Sequence, residues 1–152
     1  MTEPIQFYST ADAYGEFSNF AAYPIELKGK TWPTSEHYFQ AQKFAGQPDK
    51  EEIRRASSPL LAARMGRDRQ RPFRTDWEAV KDSIMREAVL AKFTQHANLR
   101  EILLSTGDAP IVEHTTNDNY WGDGGGSGKN MLGLILMEVR TKLREEATAS
   151  QP

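Results

Sequence analysis

Apolar residues recur at intervals of three and four over two long stretches of the chain, and these stretches set its architecture. After a glycine-rich segment, Met131, Leu132, Ile135, Leu136, Val139 and Leu143 fall on one side of a helix. The second stretch runs from Trp77 to about His96, with Thr75 or Asp76 as cap and Glu78 in its first turn. Val80, Ile84, Met85, Ala88 and Ala91 form its inward arc at about 100° per residue. Shorter helices are predicted from Glu36 to Phe44, capped by Thr34 or Ser35 and ending near Gly46, and from Asp49 to Ala56 after Pro48. Pro59 opens another that stops at Gly66, and Asn98–Ser105 is helical as well. Strands are expected at Ile5–Tyr8, Ile25–Lys28 (followed by a Gly29-Lys30 turn) and Ile111–Glu113. The sum is a helix-dominated α+β fold with a few short strands. We expect one domain over residues 1–146 and a disordered tail over 147–152.

Three places break the pattern by putting charge where a core residue is due. Lys81 falls within the inward arc of the 77–96 helix, between Ile84 and Met85, where an amine either snorkels to water or points into a cleft. Glu36, Gln40 and Lys43 follow i, i+4, i+7 spacing and share a face with Phe39. That row is either an exposed ion-pair stripe or the polar lining of a pocket, and Tyr38 on the opposite side leaves no clearly polar outer face. Glu113 follows Ile111 by two and shares its inward side if the segment is a strand.

Composition narrows the chemistry. In 152 residues there is no cysteine, so thiolate nucleophiles, thiolate metal sites and disulfides are excluded. His37, His96 and His114 are scattered, and neither a metal nor any other cofactor is expected. A formal net charge of −2 gives no global attraction to nucleic acid or anionic membrane. No apolar run is long enough to span a bilayer, and MTEPIQFYST lacks a basic region followed by an apolar stretch, so a cytoplasmic location is the expectation. The Gly122–Gly128 segment is not a Walker loop, because Asp123 and Asn130 replace the required Gly and Ser or Thr. Nor is Ser127 in a nucleophile elbow, since Lys129 stands where a glycine is needed. Trp121-Gly122-Asp123 offers a stacking ring and a carboxylate, and the loop with the helix start behind it suits an anion. The run Arg64, Arg67, Arg69, Arg71, Arg74 is the one strong basic cluster, with Arg67 the favoured phosphate ligand.

Glu16-Phe17-Ser18-Asn19-Phe20 with Pro24, Thr34-Ser35-Glu36-His37-Tyr38-Phe39-Gln40-Ala41-Gln42-Lys43-Phe44, Gly66-Arg67, Trp77 with Lys81 and Met85, and Trp121-Gly122 occur in this order. Taken together, these blocks resemble the YbiA/NADAR family of N-glycosidases over about residues 6 to 144. The resemblance implies hydrolysis of an N-glycosidic bond in a ribosyl compound. The substrate would be a ribosylamine phosphate of riboflavin biosynthesis or ADP-ribose attached to guanine, free or in DNA. Asp123–Lys129 is more glycine-rich than the family's usual Trp-Gly-x-Gly segment.

Under that resemblance Lys43 or Lys81 is the covalent nucleophile forming an imine at C1′, and Glu36 and Glu113 (or Asp123) are general acid/base candidates. Trp121 stacks on the base, Arg67 and the 122–128 loop hold the phosphate, and Asn19 hydrogen-bonds the ribose or orients a carboxylate. Phe17, Ser18, Gln40, Trp77 and Gly122 complete the expected binding set. The competing readings are a non-catalytic ADP-ribose binding module and a nucleic-acid adaptor using the arginine run. No membrane and no obligate protein partner are expected.

Overall fold

A computed structural model describes residues 3–149 and bears out a helix-dominated α+β architecture. In chain order the elements are β1 (Ile5–Phe7), β2 (Ile25–Leu27), β3 (Lys30–Trp32), α1 (Ser35–Ala41), α2 (Asp49–Arg54), α3 (Pro59–Gly66), α4 (Trp77–Gln95), α5 (Ala97–Ser105), β4 (Ile111–Glu113) and α6 (Met131–Ala149). The described residues form two compact units, one from residues 19–92 and one from residues 3–18 with 93–149, the division falling inside α4.

The 19–92 unit is built around α1. Every residue of α1 is buried, because the neighbouring elements wrap all of its faces. Thr34 caps it in extended conformation, its side chain accepting from the His37 backbone N–H. Tyr38 and Ala41 join Ile25, Trp32, Phe44, Ile53, Ala62 and Ala88 in one apolar cluster, with Trp32 and Tyr38 ring centroids 5.1 Å apart and nearly perpendicular. The inward arc predicted for α4 holds: Met85 and Ala88 are buried and Ile84 packs against the cluster. A 3-10 turn over Gln42–Phe44 follows α1, and Gly46 turns left-handed at φ 81°. Two details differ from the sequence reading. The turn falls at Lys28-Gly29, both at positive φ (56° and 76°), which frees Lys30–Trp32 to pair antiparallel with β2 as a strand the sequence reading missed. And α3 ends at Gly66 without a left-handed residue there, so the glycine is not needed for helix termination.

In the other unit β1 and β4 pair in parallel, Ile5 with Ile111 and Phe7 with Glu113. Phe7 packs edge-on against Phe17, which also meets Phe93, so Phe17 is a core residue. The apolar side of α6 is buried as predicted, and the helix runs through Ala149, past the expected start of a disordered tail. Residues 150–152 of that tail lie outside the described residues. Asn130 fastens α6 to β4: its Nδ2 donates to the Ile111 carbonyl (2.9 Å) and its Oδ1 accepts from the Glu113 N–H (2.9 Å). It does so at φ 54°, a left-handed conformation that Asn tolerates better than most residues. Among the described residues no helix is long and apolar enough to cross a membrane.

Replacing Asn130 by Gly strands both bonding partners while keeping the conformation accessible, and costs about 2 kcal/mol in a urea melt. Asn130→Ala adds left-handed strain of roughly 1 kcal/mol and is the less stable of the two.

Candidate functional site

The polar row on α1 faces inward. Glu36 and Gln40 are almost fully buried and Lys43 is half-buried, which rules out the exposed ion-pair stripe. Gln40 Nε2 donates to Glu36 Oε2 at 2.8 Å. Asn19 secures the start of the row: its carbonyl accepts the Glu36 N–H (3.2 Å) and its Oδ1 accepts the Ser35 hydroxyl (2.8 Å). Its Nδ2 lies 3.4 Å from the Met85 sulfur. Asn19 therefore fixes the start of α1 through the backbone of Glu36 and the side chain of Ser35. His37 is core structure. Its Nε2 lies 3.0 Å from the Ala56 carbonyl and so carries the proton, leaving Nδ1 to accept from the Thr34 hydroxyl (2.9 Å). Burial lowers its pKa, consistent with a neutral ring.

Lys43 sits at the end of this row. Its amine lies 5.9, 5.7 and 5.7 Å from the ring centroids of Phe39, Phe73 and Trp77, and donates to the Gly66 carbonyl at 3.1 Å. Its own carbonyl accepts the Arg74 N–H, which pins the backbone beneath it. These ring distances are close to the outer limit of about 6 Å, so cation–π attraction is at the weak end of its range. Desolvation prevails, and with the positive charges of Arg67 and Arg69 against it the amine falls to about 8 despite the opposing pull of Glu36 and Glu78. The environment therefore offers a neutral, nucleophilic amine at mildly alkaline pH.

Lys81 differs. It is mostly buried, as its position in the arc predicted, but its amine bonds Glu78 at 2.7 Å, one turn before it and exposed. Lys92, not singled out in the sequence, is buried with its amine 5.8 Å from the Tyr23 ring centroid. It lies four residues after Ala88 and seven after Met85, so extending the same arc would have found it. The arginine run divides by partner. Arg71 bonds Asp49 and Glu52, and Arg74 bonds Asp76 and the Gln42 carbonyl, so both are structural. Arg67 and Arg69 are exposed, and the Arg69 guanidinium lies 4.5 Å from the Phe73 ring centroid. Trp77 is an edge-on neighbour of Phe39 and forms part of the aromatic surround of Lys43.

The remaining expected residues lie in the other unit. Asp123 is buried: its Oδ1 accepts the N–H groups of Thr115 and Gly125 (both 3.0 Å), and its Oδ2 meets His114 Nδ1 at 2.6 Å. The His114 bond, then those backbone donors, hold its carboxyl below the usual range. Asp123 thus organises the loop and is poorly suited to deliver a proton. His114, passed over in the sequence, keeps half of its side chain exposed beside it. Gly124 and Gly125 adopt positive φ (59° and 89°), so part of the glycine content serves the turn. The helix start offers no open anion seat: the N–H groups of Asn130, Met131 and Leu132 donate to the carbonyls of Gly122, Tyr120 and Trp121. The loop half of the expected phosphate cradle is therefore occupied by the chain itself. Gly122 is buried, and a Cβ there would lie 2.8 Å from Thr115 Cγ2 and 2.9 Å from the Glu113 carbonyl oxygen. Trp121 is half-buried against Tyr120, Glu113 is half-buried on β4, and Ser18 is buried after a 3-10 turn over Gly15–Phe17. Among the described residues no group of three or more His, Asp or Glu is placed to hold a metal.

The charges around Lys43 make its titration predictable. Arg67→Ala or Arg69→Ala removes a repelling cation and raises the Lys43 pKa above about 8, whereas Glu36→Gln lowers it. An NMR titration following the Lys43 Cε resonance checks both directions.

Against known proteins, the model of the NADAR domain matches residues 6–144. The N-glycosidase YbiA of Escherichia coli (strain K12) is 65% identical over 143 residues, covering 93% of this chain and 89% of that protein. A riboflavin biosynthesis protein of Vibrio vulnificus (strain YJ016) is 43% identical over 148 residues, covering 97% of this chain and 40% of that protein. The NMR structure of E. coli YbiA superposes with a TM-score of 0.92 at 61% identity, covering all of this chain and 92% of that one.

Proposed function

This chain belongs to the NADAR domain family, and from that premise we propose that it is an N-glycosidase that cleaves a phosphorylated ribosylamine through an imine on Lys43. The observation that carries the assignment is the Lys43 amine itself, held among three aromatic rings beside a buried carboxylate and brought to about 8. Lys81, bonded to Glu78, is the weaker candidate.

In this reading the lone pair of Lys43 Nζ attacks C1′ of the ribose as the C1′–N bond to the base breaks. Glu36 takes the proton shed by Nζ and passes it to the departing nitrogen. Opening of the sugar ring turns the new C1′–Nζ bond into an iminium, and water then hydrolyses it, releasing the sugar and restoring the amine. Gln40 and Asn19 hold Glu36 for both transfers. Arg67 takes the phosphate without help from the 122–128 loop. The relatives named for riboflavin biosynthesis favour a phosphorylated ribosylaminopyrimidine of the cytoplasm over ADP-ribosylated guanine.

Release of free base, assayed on both substrate classes, tests the assignment; turnover is expected on the ribosylamine phosphate, and binding without release would leave a reader module instead. Lys43→Ala and Glu36→Gln each lower kcat by at least about 10³-fold in a folded protein, and Lys81→Ala leaves most of it. In the parent enzyme kcat/KM rises with pH through about 8, because only the neutral amine attacks.

A further inference from the structure

Gly66 has no torsional reason to be glycine, since it closes α3 outside the left-handed region. What it has is a neighbour. A Cβ built on Gly66 would lie 2.0 Å from Gln40 Oε1, 2.7 Å from Gln40 Cδ and 2.9 Å from Gln40 Cβ. The last of these is fixed to the α1 backbone, so rotating the Gln40 amide away cannot by itself make room. Gln40 Oε1 is buried and accepts no hydrogen bond from any described residue. The other end of the same amide donates to Glu36. Meanwhile the carbonyl of Gly66 accepts the Lys43 amine at 3.1 Å.

We propose that Gly66 is the positioning residue that fixes Glu36 and Lys43 relative to each other, its bare Cα admitting Gln40 and its carbonyl receiving the amine. This rests on the reading of Lys43 and Glu36 as the reacting pair. One residue thereby sets both arms: α3 can approach α1 closely enough for the carbonyl to reach Nζ only because nothing projects from Gly66 toward Gln40. Adding a methyl group makes α3 withdraw, and the overlap with Oε1 and Cδ turns Gln40 to another rotamer. Withdrawal takes the carbonyl from Lys43, and rotation takes the amide from Glu36.

Withdrawal also moves charge. Losing the carbonyl acceptor favours the neutral form of Lys43, while Arg67 and Arg69, which follow Gly66, move with α3 and relax their repulsion of the amine; Glu78, on α4, is not tied to Gly66.

The experiment is a double-mutant cycle of Gly66→Ala and Gln40→Ala, read by kcat, KM and the NMR titration of Lys43. Gly66→Ala is expected to lower kcat about 10²-fold with little change in KM, the scale of a misplacement of about 1 Å. It should also move the Lys43 titration away from that of the parent protein. Gln40→Ala, which opens space and cannot clash, should lose kcat through the same Glu36 contact. The double variant should lose less than the two single losses combined, because the methyl group then meets only the Cβ of residue 40, at 2.9 Å, and no longer Oε1 or Cδ. Fully additive losses, or a folded Gly66→Ala protein with parental kcat and parental Lys43 titration, overturn the proposal. The titration does not require turnover, so it tests Gly66 even if Lys43 proves not to react with the sugar. If Gly66→Ala melts before assay, the double variant and Gln40→Ala still decide: a double variant far below Gln40→Ala overturns the shared route.

Discussion

A helix buried on every face is the constraint from which the site follows. With Ser35, Glu36, His37 and Gln40 all out of water, each must find a partner inside the protein or cost several kcal/mol. All but one do: Ser35 bonds Asn19, His37 bridges Thr34 and the Ala56 carbonyl, and Gln40 Nε2 bonds Glu36, while Gln40 Oε1 lies against Gly66 without a donor. Satisfying those groups fixes the carboxylate to within a rotamer. It also leaves Lys43, one turn further on, half out of water between Phe39, Phe73 and Trp77. The same burial that forces the network together lowers the amine toward a reactive state.

Much of this was legible in the sequence, and for identifiable reasons. The i, i+4, i+7 spacing of Glu36, Gln40 and Lys43 needs only the helical period, and burial then decides between an exposed stripe and the lining of a pocket. The long arc of α4 was equally plain, Met85 and Ala88 falling where the period puts them. Failures came where partners distant in sequence decide. Nothing local to Arg71 announces that Asp49 and Glu52 neutralise it, or that Arg67 and Arg69 are left exposed.

The glycine-rich loop shows the other kind of limit. Flexible residues before a helix read as a phosphate seat, because backbone N–H groups at a helix start are usually open. Here the carbonyls of Tyr120, Trp121 and Gly122 fill them first, and Asp123 gathers Thr115, Gly125 and His114 about its carboxylate. The residues that looked like ligands for a substrate are ligands for the loop. Gly66 carries the opposite lesson: it read as a helix stop and proves to be a packing requirement set by Gln40.

Taken together, the amine and carboxylate proposed to react come from one short segment, and family membership supplies the reaction class they suit. Reduction of the enzyme with cyanoborohydride during turnover of a ribosylamine phosphate, followed by peptide mass spectrometry, tests this most directly. The account predicts a pentose phosphate adduct on Lys43. Sustained base release with no adduct on any lysine, or an adduct on Lys81 instead, would contradict it.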